Sequence, residues 1–549
     1  MTEKALKKED NLLRSAGVMG VATFLSRIFG LVREQVFAFL FGAGFETDAF
    51  QIAFRIPNLF RDLFAEGAMS SAFIPTFVRV REERSDRDAW RLAGLVFRVL
   101  GWGISILTVI GILGAPWLVS LYASAFKAIP GKFELTVTLT REIFPFFPLV
   151  VLAAAFMGVL NACQAFFIPA FSSALFNIVS TLVGVSLSVL APRFGYRAIE
   201  GMAVGVVVGG IAQAFSQLPL LYKKGYHWPK RVETDSHWAS DPNLRRMLLL
   251  MVPGTLGLAA TQINILVNSV FATSAGPGAV SWLNYAFRLM QFPIGIFGVS
   301  FAAATLPVAS RHWVNKNWQA TSDTVRDSLK QVLAVNLPAA AGLAFLGEPI
   351  IRMIFQYGRF SSADATATAR ALSAYALGLA AYSLVKVLAP VFYAMDNAKI
   401  PVISSALSVG LNLVFNLLLV KKLGYWGLAF GTSITAMVNA LFLLIAFEKG
   451  IRKKGGVFSL SHLAGFGAAV LLVAVGMGFG CFWFSGWFGG LLGSMLHDGL
   501  ISRLLNVGIS VSFGVLLIVL LGKVFGIGEL HEVTFKILNR LASKLRKRS

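Results

Sequence analysis

Charge is what this sequence has least of. Only 14% of its 549 residues are Asp, Glu, Lys or Arg, against about 25% in an ordinary soluble domain. Acids are scarcer than bases, 27 against 49. Cysteine is nearly absent: Cys163 and Cys481 both lie in apolar surroundings, so no disulfide framework is expected. The six histidines are scattered, and no HExxH, Walker A, GxSxG or paired-cysteine zinc pattern occurs. Those absences remove the motif-borne hydrolase, metalloprotease and ATP-driven chemistries from consideration.

What is abundant is apolar surface. Hydrophobic residues make up 56% of the chain, and the mean hydropathy is +0.71. A membrane-crossing helix needs about 20 apolar residues. Runs of this density without a period-2 alternation argue for an all-α polytopic membrane protein rather than a barrel. The net charge of +22 would suggest nucleic acid in a soluble protein. Here the bases fall mostly in loops and tail, where they set topology and meet anionic lipid headgroups, so no nucleic-acid partner is expected. The first dozen residues are polar and the apolar run after them is interrupted by Arg27 and Arg33, which argues against a cleaved signal peptide.

Hydrophobic runs and turn signals predict fourteen helices, at 13–41, 48–78, 92–123, 142–162, 168–190, 199–221, 247–273, 279–310, 329–349, 371–393, 400–420, 426–447, 459–485 and 504–526. With both termini placed in the cytoplasm, Lys and Arg favour the cytoplasmic side roughly three to one. That excess supports an even number of spans with N- and C-termini inside.

The chain also echoes itself. AFRIPNLFRDLFAEGAMSSAFIP from Ala53 resembles AFRLMQFPIGIFGVSFAAATLP from Ala286. The run Pro169-Ala-Phe-Ser-Ser returns as Pro401-Val-Ile-Ser-Ser, and GMAVG from Gly201 as GLAFG from Gly427. Three echoes in one order suggest two six-helix lobes of the same orientation, 1–222 and 247–448, joined by a basic cytoplasmic linker, 223–246. The appended helices occupy 449–526 and a basic tail 527–549. Parallel repeats of this kind recur in secondary transporters, whose substrate sites lie where the repeats meet.

One stretch, Ser26–Pro75, carries Arg27, Arg33, Asp48, Arg55, Arg61 and Glu66 within membrane-length helices. An arginine at the bilayer centre costs about 2.5–3.5 kcal/mol on insertion scales. The repeat pairs Arg55 with Arg288, one from each lobe, and together these arginines suggest a wet cationic cavity that holds an anion. Snorkelling, or pairing of Arg33 with Glu34 and of Arg55 and Arg61 with Asp62 and Glu66, is the structural alternative. Gly30 could bend helix one so that Arg27 and Arg33 converge, and Pro57-Asn58 should break or kink helix two. Asp48 is read either as an N-terminal cap or as one half of an external gate, and Glu66 as a salt-bridge or proton-binding acid. Asn268, Asn412, Asn416 and Thr432 are weak candidates for a cation site. Gly201, Gly205 and Gly209 form a small-xxx-small helix-packing stripe.

The segments SRIFGLVRE, FGAGFETDAF, FRIPNLFRDLFAEGAMSSAFIP and NYAFRLMQFPIGIFGVS resemble the signatures of the MurJ (MviN) lipid II flippase family. That family lies within the multidrug/oligosaccharidyl-lipid/polysaccharide exporter superfamily. The resemblance implies two six-helix lobes in a V, followed by a helix pair that forms a groove for a polyprenyl tail. It implies essential cavity arginines at Arg27, Arg33, Arg61 and Arg288, an essential acid at Asp48, a basic position at Arg55 and an acid at Glu66. Family members commonly read Ala-Asp-Arg where this chain has Ala286-Phe287-Arg288, and a basic pair where it has Arg61-Asp62. Carboxylates associated with sodium in some members correspond to Asn268 and Asn416.

The expectation is therefore a transporter of the bacterial inner membrane and not an enzyme. It would flip lipid II, the undecaprenyl-pyrophosphate-linked disaccharide-peptide, by alternating access. No cofactor is implied, though membrane potential or an ion gradient could drive the cycle. Membrane lipids and wall-synthesis proteins are the other expected partners. The alternatives are an exporter of other polyprenyl-linked saccharides, a membrane-embedded enzyme, or a scaffold of wall synthesis.

Overall fold

Glycine separates the first two helices. Gly42 and Gly44 take φ of 68° and 151°, conformations that side chains rarely adopt, and the Thr47 hydroxyl closes the turn by donating to the Gly42 carbonyl at 3.0 Å. The computed structural model describes residues 3–63, 73–227, 242–496 and 499–530. Glu66 and most of the linker and tail lie outside those residues.

Every regular element among the described residues is helical. The chain divides into two compact units, Met1–Pro277 and Gly278–Ser549. The first contains α1 (Glu3–Phe41), α2 (Phe45–Arg61), α3 (Ile74–Glu83), α4 (Asp86–Leu113), α5 (Ala115–Ala123), α6 (Lys132–Ile143), α7 (Phe146–Ala162), α8 (Phe167–Leu190), α9 (Ala198–Phe215), α10 (Leu218–Lys223) and α11 (Pro242–Ser274). The second contains α12 (Ala279–Pro293), α13 (Val299–Val314), α14 (Trp318–Phe345), α15 (Gly347–Phe355), α16 (Ser362–Ala376), α17 (Leu379–Ala394), α18 (Lys399–Leu423), α19 (Tyr425–Arg452), α20 (Leu460–Leu496) and α21 (Leu500–Val524).

Nine helices among the described residues are long and apolar enough to cross a membrane, or eleven when two bent pairs each count as one span. These eleven fall on eleven of the fourteen expected spans. The other three, 13–41, 48–78 and 247–273, run into residues whose placement or side chains are not described. The bends have local causes. Pro145 separates α6 from α7, which meet at 40°. Gly378 separates α16 from α17, which meet at 44°, and a Cβ there would lie 2.8 Å from the Ser433 Cα. Polar helix starts are capped as their sequences suggest. The Ser85 hydroxyl accepts from the Asp88 amide, and Ser361 and Asp364 form a reciprocal capping box.

In the first unit, phenylalanines tie α1, α2, α7 and α8 together. Phe37 meets Phe50 at 4.5 Å, Phe54 meets Phe146 at 6.0 Å, and Phe146 meets Phe176 at 5.2 Å between ring centroids. Packing of α8 on α9 depends on the glycine stripe. A Cβ at Gly201 would come within 2.4 Å of the Ser188 nitrogen, and one at Gly205 within 2.6 Å of the Gly184 Cα. In the second unit one core joins α13, α14, α17 and α19, and another joins α14, α20 and α21.

The unit boundary at Pro277 differs from the expected lobe boundary in the linker. α11, the seventh span of the sequence reading, packs on α2, α4 and α5, so it belongs to the first compact unit. Two side-chain bonds account for part of this. The Arg55 guanidinium donates to the Ser269 hydroxyl at 2.9 Å, and the Gln262 amide to the Asp62 carboxylate at 3.2 Å.

Candidate functional site

Four of the candidate arginines lie on α1 and α2 of the first unit, each in a different local setting. α1 passes through Gly30 without interruption, so the bend suggested there does not break the helix. Arg27 is half-buried, and α1 is held beside it by the Asn177 amide, which donates to the Ser26 carbonyl at 3.2 Å. Arg33 is buried. Its guanidinium donates to Glu34 at 3.1 Å and lies 5.4 Å and 5.6 Å from the ring centres of Phe54 and Phe176. The second oxygen of Glu34 accepts from Gln51 of α2 at 3.5 Å. Arg33 therefore sits in a closed ionic and aromatic niche.

Arg55 is half-buried, and its bond to Ser269 is to a neutral group. That contact ties the guanidinium to α11. Arg61 differs: two of its nitrogens reach one Asp62 oxygen at 3.0 Å and 2.6 Å. The side chains of that pair are 38% and 22% exposed, a partly hydrated pair of modest strength. Between these arginines, Pro57 does not end the helix, and α2 continues to Arg61. A proline removes one helical N–H donor. The Asn58 side chain supplies one nearby, donating to the Phe54 carbonyl at 3.0 Å.

Asp48 is the fourth residue of α2, with Gly44 at the N-cap position, so it is not the cap. It is fully buried, and Lys132 Nζ donates to its Oδ2 at 2.9 Å. The ammonium also lies 4.3 Å from the Phe126 ring centre and 5.9 Å from that of Phe45. The sequence does not single out Lys132 as the partner of Asp48. The available clue was chemical: a buried carboxylate needs a basic partner.

In the second unit, α12 presents Arg288. Trp282 donates to Asp364 at 2.9 Å, and buried Tyr285 packs 4.9 Å from Phe355. These contacts fix one face of α12 in the core. Asn284, Arg288 and Gln291 share a polar stripe at i, i+4 and i+7 on the less buried side. That spacing was visible in NYAFRLMQ, although only Arg288 was singled out. Phe287 packs edge-on against Tyr375 at 5.4 Å.

The weak cation candidates do not form one cluster within either unit. Asn268 lies on α11 in the first unit, whereas Asn412, Asn416 and Thr432 lie on α18 and α19 in the second. Asn412 and Asn416 are fully buried where α18 meets α19. A Cβ at Gly431 would sit 3.4 Å from the Asn416 Oδ1, and the Thr432 hydroxyl donates back to the Leu428 carbonyl at 2.6 Å. Among the described residues no group of three or more His, Cys, Asp or Glu side chains could hold a metal ion.

The family described as "Lipid II flippase MurJ" matches residues 37–498. The chain belongs to the MurJ family. It is 36% identical over 448 residues to the lipid II flippase MurJ of Burkholderia cenocepacia, covering 81% of this chain and 84% of that one. It is 32% identical over 470 residues to the probable lipid II flippase MurJ of Haemophilus influenzae, covering 83% and 89%. A solved structure of a lipid II flippase MurJ in an inward closed conformation superposes with a TM-score of 0.73 at 26% identity, covering 92% of this chain and 98% of that one. An inward-facing multidrug-resistance MATE transporter shares the fold, with a TM-score of 0.65 at 16% identity and coverage of 80% and 99%. MurJ membership makes the chain a multi-pass inner-membrane transporter and not an enzyme.

Proposed function

We propose that this chain moves lipid II from the cytoplasmic to the periplasmic leaflet by alternating access, with both termini in the cytoplasm. The observation that carries the reading is the arginine set of α1, α2 and α12 in a chain of the MurJ family. Guanidinium groups bind phosphate oxygens bidentately and retain their charge at every physiological pH. In this proposal Arg27, Arg33, Arg55 and Arg61 of the first unit are the diphosphate-binding groups, and Arg288 of the second unit is a phosphate-binding position in its own right. Arg55 and Arg288 carry the most weight, because the sequence echo sets them at matching positions. Arg33 and Arg61 are tied to neighbouring acids, so they reach the ligand only by exchanging those partners.

The polyprenyl chain remains in lipid along α20 and α21, while the saccharide and peptide travel with the headgroup. No cofactor takes part. Membrane potential is the proposed driving force, at about 2.3 kcal/mol per charge per 100 mV. Asn268 and Asn416, where some relatives carry carboxylates, make sodium the weaker alternative. Wall-synthesis proteins acting on either leaflet are the proposed partners.

The test is a flipping assay with purified protein in liposomes, run with and without membrane potential and sodium. Losing a charge-assisted contact worth about 1.5–3 kcal/mol lowers transport ten- to a hundredfold, so Arg288→Ala should do so while leaving thermal unfolding unchanged. Wild-type flipping by that variant rejects the site. Equal transport of an unrelated polyprenyl-linked saccharide rejects lipid II as the specific substrate.

A further inference from the structure

α17 carries a charge inside a membrane-length segment. α16 and α17 make up one of the two bent spans, and Lys386 sits at the middle of α17. It is exposed, and among the described residues its ammonium takes part in no hydrogen bond or ion pair. The main elements packed on α17 are α13, α14, α19 and the π-helical turn Ile294–Gly298. Their acids are Asp323, Asp327 and Glu448, and these pair with Arg326 and Arg452 instead.

Burial sets the direction of the side chain. Leu384, Val387, Leu388 and Val391 enter the core shared with α13, α14 and α19, and the Ser383 hydroxyl donates to the Asn336 side-chain oxygen at 3.2 Å. At 100° per residue the opposite face presents Tyr382, Lys386 and Tyr393. Charged residues within spans face the bundle interior or a water-filled cavity.

Contacts within the second unit relate that face to Arg288. Phe287, adjacent to Arg288, packs on Tyr375 at 5.4 Å, and Tyr375 and Tyr382 remain neighbours across the Gly378 bend. Further along, a Cβ at Gly298 would lie 3.1 Å from the Ser383 Oγ, so the α12–α13 and α16–α17 segments run in the same direction. Lys386 is eleven residues beyond Tyr375, about 15 Å from it at 1.5 Å per residue once the 44° bend is included.

We propose that Lys386 binds a carboxylate of the headgroup peptide, as a specificity-determining residue of the transport reading on which this inference rests. A diphosphate held at Arg288 is too short to reach Lys386 as well. A disaccharide-peptide attached to that diphosphate is long enough, and its remaining anionic groups are carboxylates. A compact ammonium on a flexible stem suits the end of a flexible peptide, where a rigid guanidinium fork is not needed.

The test compares initial flipping rates of the full-length protein in liposomes for lipid II with free peptide carboxylates and for the same lipid with those groups amidated. Wild type should move the free-acid form about tenfold faster or more, as expected of one charge-assisted contact. Lys386→Gln should equalise the two rates, Lys386→Arg should keep part of the difference, and Lys386→Glu should reverse it. Each variant should unfold at the wild-type temperature, because the side chain is exposed. Equal wild-type rates for the two lipids, an unchanged ratio in Lys386→Gln and Lys386→Glu, or variants that no longer fold overturns the role of Lys386 and leaves the transport reading standing. Failure of wild type to move either lipid rejects the transport reading and the role of Lys386 with it.

Discussion

Lys132 and Asp48 form an ion pair with almost no access to solvent: their charged atoms are 2.9 Å apart, and the side chains are 1% and 0% exposed. The contact joins α6 to the first turn of α2, the helix that carries Arg55 and Arg61. Removing one partner of such a pair strands a buried charge, at a cost of about 3–5 kcal/mol. Lys132→Met should therefore lower stability by about that amount. The double variant Asp48→Asn/Lys132→Met should recover much of it, because neither charge is then left alone. Thermal unfolding of the purified variants in one detergent measures both. A double variant no more stable than Lys132→Met would mean that the lost stability is not that of a stranded charge.

Helix packing predicts a contrast between two glycines. At Gly205 a Cβ would lie 2.6 Å from both the Gly184 Cα and the Ser180 carbonyl oxygen. Backbone on two sides cannot yield as a flexible side chain can, so Gly205→Ala should cost about 1–3 kcal/mol. At Gly101 in α4 a Cβ would meet nothing within 4 Å. Gly101→Ala should be neutral or stabilising by up to about 1 kcal/mol, since alanine is the better helix former. Unfolding temperatures that move in the same direction for both variants would contradict the packing account.

The spans and the glycine stripe were legible because both depend on neighbours within a few turns of one helix. Apolar runs located the helices, and Gly201, Gly205 and Gly209 occupy the crowded face that their spacing implies. The arginines were legible as a set because charge in an apolar run is itself the signal. Their partners divide by distance along the chain. Arg33–Glu34 and Arg61–Asp62 are adjacent residues and could be anticipated. Arg55–Ser269, 214 residues apart, and Lys132–Asp48, 84 apart, depend on tertiary packing that no local pattern encodes. The same reason hid the association of α11 with the first unit. Of the break or kink expected at Pro57-Asn58, the break does not occur, because α2 continues to Arg61.

Cysteine chemistry gives a prediction at the end of α7. Burial pushes the Cys163 thiol above its ordinary range, while Arg81, whose Nη1 is 3.7 Å from the sulfur, and Lys224 pull it partly back. A raised thiol carries less thiolate at neutral pH, and thiolate is the reactive form. Maleimide labelling of Cys163 should be slow at pH 7 and accelerate as pH rises beyond the usual thiol midpoint of about 8.5. Arg81→Ala should slow it further at any given pH by removing a cation that favours the thiolate. A pH-rate profile measured with Cys481→Ser as background isolates the site. Faster labelling after Arg81→Ala would show that the arginine shields the sulfur rather than polarising it.

The Arg61–Asp62 pair decides between a transporting and a purely structural arginine. Its strongest contact is 2.6 Å, yet the two side chains are 38% and 22% exposed, so solvent screening limits its stabilising value to under about 1 kcal/mol. Neither Arg61→Ala nor Asp62→Asn should then move the unfolding temperature much. Their effects on transport should diverge. If Arg61 exchanges Asp62 for a phosphate oxygen during the cycle, Asp62→Asn makes the guanidinium easier to release and keeps or raises flipping. Arg61→Ala removes a charge-assisted donor worth about 1.5–3 kcal/mol and lowers flipping at least tenfold. If the pair serves only to join α2 to α11 through the Gln262 amide, the two variants should impair flipping alike, with Asp62→Asn the worse because it loosens both contacts. Initial flipping rates of the two variants in the same liposomes separate these outcomes.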